Sequence, residues 1–488
     1  MSAALTDARF ALPRPVRSAV VLGELEGWTE PLAAAGIEVT TSEGSGHTSC
    51  DLVVAPADLA SAAFAVGAPM VIVQGTDASG HARGAGMSAR RLLALPRVHE
   101  PVAFISLPEP PVARYALREM FVPTRRWKQV RNWTVLPAIS RGLVPARAQV
   151  TVAARTGGPP FLIEAARRLG APADAAWLLS PGQGDMLARG AFHLFPAGQN
   201  HPSHVIKFSR VPGRSEHFDR DEQGLAVAAA GGPVVAQHAP QLLGRMEEAG
   251  VHASVETAAR GRLLTGFLVS DRRAQDRLDA IEEIADWLVR VAVETASEPP
   301  GIRPELDRLT RDVIPAWQHA GATPELLDGL DRLPAVLQHN DLGTWNIVIA
   351  PGGFTAVDWE SARRHGLPLW DLWYLLVDAL AQIDRVSGLE DRERHFVRLF
   401  RGELPASKLL FEWTRRAAEA SNVPGEAVGR IATLCWIHHG LSPTERLNDL
   451  RSVLPAALPQ YWHEFSQRVA RAWLKEAGLG PRWDAFTR

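Results

Sequence analysis

Between residues 337 and 362 the chain reads LQHNDLGTWNIVIAPGGFTAVDWESA, and this stretch constrains the fold more than any other. Two apolar runs, Asn346–Ala350 and Phe354–Val357, are separated by Pro351, Gly352 and Gly353. Proline presets φ and glycine adopts turn conformations without steric cost, so the pattern predicts a β-hairpin. Asp341 and Asn346 stand on the loop entering the hairpin, and Asp358 stands at its exit. Two carboxylates and an amide therefore converge at one end. That donor set suits a hard cation such as Mg²⁺, which prefers oxygen ligands and keeps waters or phosphates in its shell. A single loop aspartate is explained by turn formation or capping; the group of three is not.

The surrounding chain divides by periodicity. Residues 16–107 alternate short apolar runs (Ser18–Leu22, Ile37–Thr41, Asp51–Ala55, Met70–Gln74, Val102–Leu107) with helical stretches (Trp28–Ala35, Ala57–Val66, Met87–Leu95), which predicts a parallel α/β sheet. VLGELEG at the first turn lacks the GxGxxG spacing, and its acidic side chains would repel a pyrophosphate. A Rossmann-like scaffold without its usual cofactor is the expectation. Residues 108–157 read as a proline-punctuated connector, with Trp127 and Trp133 packed inward and the basic residues between 125 and 131 solvated; peripheral membrane contact through 125–133 is the less favoured reading. TGGPP at 156–160 marks a boundary.

Beyond it, strands are expected at Trp177–Ser180, Phe192–Phe195, His204–Ser209, Ala253–Ala258 and Arg262–Val269, with a helix at Arg220–Ala230. After residue 271 nearly everything is helix-periodic: Gln275–Glu294, Pro304–His319, Leu369–Ile383, Glu390–Phe400, Ala406–Ala420, Val428–His439 and Pro459–Ala477. A β-rich half before an α-rich half predicts an α+β fold of two lobes. The expected domains are 1–155 (α/β), 156–270 (β-rich lobe) and 271–488 (helical lobe).

HNDLGTWN followed by VDWE resembles the HxDxxxxN…D signature of aminoglycoside phosphotransferases, choline kinases and related small-molecule kinases of the protein-kinase-like fold. The resemblance covers about 160–480 and implies an ATP- and Mg²⁺-dependent phosphotransferase. It makes Asp341 the catalytic base, and Asn346 and Asp358 the magnesium ligands, with Glu360 assisting. His339 and Asp371 become structural supports of the catalytic loop. Lys207, in HVIKFSR, matches the cation that meets the nucleotide phosphates, with Glu222 as its carboxylate partner and Glu216 as runner-up. Gly182 and Gly184, in SPGQGDML, match the phosphate-covering loop, though a third glycine is absent. Arg262–Val269 falls where the family places its interlobe hinge.

Composition limits the remaining choices. A net charge of −2 gives no general reason for nucleic-acid binding. Two cysteines, Cys50 and Cys435, cannot build a disulfide scaffold or a four-cysteine zinc site and fit a reducing cytoplasm. No apolar run reads as a signal peptide or a membrane span. His438 and His439, adjacent on one helix, cannot aim at one ion and read as packing or surface residues; Trp370, Trp373, Trp413 and Trp436 read as core. Basic residues outnumber acidic ones after residue 361, which disfavours a polycationic acceptor. The expected acceptor is a hydroxyl of a small molecule: a saccharide, a glycolipid head group or a natural-product intermediate. Two alternatives are a catalytically weak nucleotide-binding relative and a transferase acting through residues 1–155. On this reading a chain beginning near Gly157 should fold and bind ATP-Mg²⁺.

Overall fold

The computed structural model describes residues 3–25, 27–42, 49–98, 100–121, 126–182, 187–270, 272–298, 301–453 and 461–475. The fold is α+β, in two compact units: Met1–Phe218 with Gln241–Gly261, and Asp219–Pro240 with Arg262–Arg488.

The first unit is organised on one twelve-stranded sheet. Its strands are β1 (Ser18–Leu22), β2 (Glu38–Ser42), β3 (Leu52–Pro56), β4 (Met70–Gln74), β5 (Ser88–Leu95), β6 (Ala103–Leu107), β7 (Gln149–Ala154), β8 (Ala176–Ser180), β9 (Gly190–Phe195), β10 (His204–Phe208), β11 (Leu242–Glu248) and β12 (Val251–Thr257). In space they run β11-β12-β10-β9-β8-β6-β5-β7-β4-β3-β1-β2. The pairings β1–β2, β1–β3 and β3–β4 are parallel. β1, β3 and β4 are near-continuous apolar runs, the pattern of strands covered on both faces. Every other pairing in the sheet is antiparallel.

Three expectations fail here. Met87–Leu95 was expected as a helix, and SARRLLAL does favour one locally. Yet most of it is β5, because pairing with β6 on one side and β7 on the other overrides that propensity. β7 runs through the expected connector, which also holds the helices Pro110–Tyr115 and Arg126–Ser140. The boundary near residue 156 is absent from the sheet: Phe104 and Ile105 of β6 pair with Leu179 and Leu178 of β8. The α/β strands and the later β-meander thus share a ladder. They also share a core, in which Val21, Leu52 and Ile72 join Phe192, Ile206 and Phe208.

The N-terminal segment Ala3–Ala11 ties these halves together. Asp7 and Arg210 form an ion pair at 2.8 Å, with side chains 0% and 1% exposed. Arg9 donates to the Arg210 carbonyl oxygen at 2.9 Å, and Phe10 lies 4.3 Å from the Phe208 ring. A buried charge is tolerated only when paired.

The second unit contains the expected hairpin. β13 (Arg262–Leu263), β14 (Val336–Gln338), β15 (Ile347–Ala350), β16 (Gly353–Ala356) and β17 (Arg363–Gly366) are its strands. β15 and β16 pair from Ile347↔Ala356 to Ala350↔Gly353. The expected strand Arg262–Val269 is cut short: only β13 pairs with β15. Leu264–Leu268 coils into a helix because Leu264, Phe267 and Leu268 bury at helical spacing. The main helices are Ala274–Glu294, Trp370–Ile383, Leu389–Phe400, Ser407–Ala420, Gly425–Val453 and Tyr461–Lys475. Trp370, Trp373, Trp413 and Trp436 are all core residues, as their spacing predicts.

The shared sheet reverses the expectation for a chain beginning at Gly157. Such a chain loses β1–β7, exposes the β8 edge and strips Arg210 of Asp7, so it should aggregate. In the full-length chain, Asp7→Ala should destabilise the first unit by roughly 3–5 kcal/mol, read as a lower denaturant midpoint. A soluble, monomeric truncation with native melting behaviour would contradict both expectations.

Candidate active site

The residues of the HNDLGTWN loop belong to the second unit, and one helix organises them. Trp370–Ile383 is apolar apart from Asp371, Tyr374, Asp378 and Gln382. The spacing i, i+3, i+7 places Asp371, Tyr374 and Asp378 on one stripe, and each engages a different part of the loop after β14. Asp371 accepts from the backbone N–H of His339 at 2.6 Å and of Asn340 at 2.8 Å. Tyr374 donates to the Asp341 carboxylate. Asp378 accepts from the Thr344 N–H at 3.1 Å and from the Thr344 hydroxyl.

Asp341 keeps partial exposure, yet its carboxyl is pushed up to about 8. Desolvation is the main cause, and the charges of Asp358 and Glu360 add to it; hydrogen bonds from Tyr374 and Asn346 act in the opposite direction. The Asn346 amide nitrogen donates to the Asp341 carbonyl at 2.8 Å and to its carboxylate at 3.0 Å. With the nitrogen so used, the amide oxygen is the donor left for a cation. The Val357 N–H donates to the Asn346 carbonyl at 2.8 Å, joining the hairpin's entry to its exit.

His339 lies at this junction: its Nε2 is 3.0 Å from the Val357 carbonyl oxygen, and its ring packs 4.6 Å from Trp359. Asn340, Asp358 and Leu369 all adopt positive φ (66°, 67° and 77°). Left-handed backbone at non-glycine residues is costly, and its clustering here marks a loop held in place by its surroundings. Burial raises Asp371 to about 6, consistent with a carboxylate kept for its two backbone hydrogen bonds.

The donor set fits a magnesium ion that retains outside ligands. Asn346, Asp358 and Glu360 offer oxygen donors beside an accumulation of negative charge. Among the described residues, no three acidic, histidine or cysteine side chains could enclose a metal by themselves. The remaining coordination would then come from phosphate oxygens and water. His438 and His439 are buried by packing: His438 stacks on Trp370 at 5.2 Å, and His439 stacks on Tyr374 at 4.1 Å. Burial holds both neutral, His439 at about 3. His438 Nε2 also lies 3.2 Å from the Asn340 amide, so it supports the loop after β14.

The nucleotide-side expectations fall mainly in the first unit. Lys207 on β10 pairs with Glu256 of β12 at 3.0 Å. Glu256 went unnoticed in the sequence because it reads as an ordinary strand residue. Glu216 begins the helix Glu216–Ala230, and Glu222 lies further along it, within the second unit. Gly182 is buried: a Cβ there would stand 2.2 Å from the Ala188 carbonyl oxygen. Close packing therefore accounts for this glycine. Gly184 lies outside the described residues. Tyr374 and Asp378 were also missed, although three polar residues at helical spacing on an apolar helix were a usable signal. A cavity of about 480 Å³ in the first unit, lined in part by Arg90, Glu109, Arg167 and Trp177, includes none of the motif residues.

Gly224 sets the approach of the helix Glu216–Ala230 to this site. A Cβ there would lie 1.8 Å from the Trp359 carbonyl oxygen, between Asp358 and Glu360. Gly224→Ala should therefore displace helix or loop and destabilise by roughly 1–3 kcal/mol, whereas Gln223→Ala on the exposed side should not. Equal melting temperatures for the two variants would refute this contact.

Comparison with known proteins bears on the same residues. Residues 212–417 match the family model described as "Phosphotransferase enzyme family". No curated protein matches the chain significantly. Among solved structures, an aminoglycoside-3'-phosphotransferase of type VIII aligns at 18% identity and a TM-score of 0.30, covering 51% of this chain and 98% of its own. A protein assigned as a fructosamine-3-kinase from Haemophilus somnus aligns at 10% identity and a TM-score of 0.34, covering 63% and 95%. The span matched by the family model, 212–417, includes Glu222, His339, Asp341, Asn346, Asp358, Glu360 and Asp371.

Proposed function

We propose that the protein is an ATP- and Mg²⁺-dependent phosphotransferase that moves the γ-phosphoryl group onto a hydroxyl of a small molecule. The observation that carries this reading is the placement of Asp341: a carboxylate on a pinned loop, hydrogen-bonded by Tyr374 and Asn346, with Asp358 and Glu360 close enough to shift its titration. Asp341 orients the acceptor hydroxyl and takes its proton as the oxygen–phosphorus bond forms and the β–γ bridging bond breaks. Asn346 and Asp358 hold the metal, with Glu360 assisting. Magnesium, when bound, neutralises charge on the β- and γ-phosphate oxygens. Lys207, steadied by Glu256, is the cation for the nucleotide phosphates, and Glu222 is the further carboxylate that the resemblance assigns to it. The modest basic surplus after residue 361 favours a neutral or anionic acceptor.

Asp341→Asn should retain nucleotide binding and lose turnover by roughly a hundredfold to ten-thousandfold. Asp358→Ala should remove the magnesium dependence of nucleotide binding, as followed by calorimetry, whereas His439→Ala should keep it. Near-wild-type turnover in Asp341→Asn would end this mechanism.

Tyr374→Phe tests the base separately. The tyrosine hydrogen bond favours ionised Asp341, so losing it raises the carboxyl further. Less of the base is then ionised at a given pH, and the acid limb of the kcat profile should move to higher pH. An unmoved limb would show that Asp341 does not govern it.

A further inference from the structure

The helix Arg126–Ser140 is apolar on two faces. Asn132, Leu136 and Ile139, spaced i, i+4, i+7, are buried. Leu136 and Ile139 join a core cluster with Val112, Tyr115 and Phe195, and the Asn132 amide donates to the Leu117 carbonyl at 3.3 Å. That face is enough to dock the helix on its own unit. On the other side, Trp127, Val130 and Trp133 are 58%, 62% and 60% exposed. Inward packing of the two tryptophans, expected from the sequence, is therefore wrong: the inward positions are taken by Asn132, Leu136 and Ile139.

Cations surround the exposed indoles. Lys128 Nζ and Arg131 Cζ lie 5.7 and 5.8 Å from the Trp127 ring, and Arg118 Cζ lies 3.9 Å over Trp133. The wider segment is one-sided in charge. Residues 120–163 contain seven Lys and Arg and no Asp or Glu, although the whole chain is at −2.

We propose that this face docks on an anionic lipid bilayer, with Trp127 and Trp133 entering the headgroup layer and Lys128 and Arg131 meeting lipid phosphates. Indole is favoured at that depth because its apolar ring and single N–H match a boundary that is oily below and wet above. Clustered cations add attraction to an anionic leaflet. A second copy of the chain is the poorer occupant, because two such faces would bring like charges together. No described helix is long and apolar enough to cross a membrane, so the contact is with the surface.

The test is co-sedimentation of the full-length chain with phosphatidylcholine vesicles, with and without phosphatidylglycerol, at low and high salt. Binding should require phosphatidylglycerol and fall as salt rises. W127A/W133A should weaken it by roughly tenfold or more, and K128E/R131E by roughly a hundredfold. Melting temperatures should stay unchanged, because the two indoles are mostly in solvent. The proposal is overturned if the unaltered chain ignores phosphatidylglycerol vesicles or if both double variants bind as it does. It is equally overturned if heparin binds as tightly without dependence on the tryptophans, which marks a general polyanion site. Gel filtration showing a dimer that W127A/W133A dissolves assigns the face to self-association instead.

Discussion

The first unit depends on the junction between β6 and β8. Only Phe104↔Leu179 and Ile105↔Leu178 are in register there, yet every strand on either side belongs to the same sheet because of them. Without that ladder, the four parallel-linked strands and the later meander would each present an edge of unpaired backbone groups. The shared hydrophobic cluster reinforces the join, since Phe192 and Phe208 pack in the same core as Val54 and Val152. Lys207 and Glu256 stand on β10 and β12, near one end of this sheet, so the geometry of this ion pair is set by a scaffold that begins far upstream.

In the second unit the comparable element is a helix stripe. Asp371, Tyr374 and Asp378 hold the start, the Asp341 carboxylate and the end of the same loop. A rigid helix thereby fixes positions that a loop would not hold alone, which is how preorganisation lowers the cost of reaching a reactive geometry. The acidic group of Asp341, Asp358 and Glu360 runs against stability, because like charges repel when brought out of water. It stands next to left-handed backbone at Asn340 and Asp358, itself costly at non-glycine residues.

Much of this site was legible in the sequence because its parts are local. The hairpin from Asn346 to Val357 needed only two apolar runs and a Pro-Gly-Gly turn, and the loop positions followed from it. The anchoring role of Asp371 came from the resemblance, and the structure supplies its two backbone partners. What stayed hidden depended on distant pairing. β5 reads as a helix until β6 and β7 flank it, and Glu256 looks ordinary until β10 lies beside β12. Trp127 and Trp133 were misjudged because tryptophan content suggests burial, whereas the inward face of that helix is taken by the smaller side chains of Asn132, Leu136 and Ile139. The domain boundary failed for a similar reason: TGGPP is a real break in pattern, but strand pairing passes across it.

The pairing of Asp7 with Arg210 spans 203 residues of sequence, and this has a consequence for biosynthesis. During translation Asp7 leaves the ribosome long before its partner exists. At typical elongation rates the interval is roughly ten to forty seconds. Throughout it, Asp7 has only Arg9 of its own segment as a charge partner, at 3.7 Å, and β1–β7 lack the strands that complete their core. The closer of the two ion pairs of Asp7, at 2.8 Å, therefore forms only after residue 210 has been made.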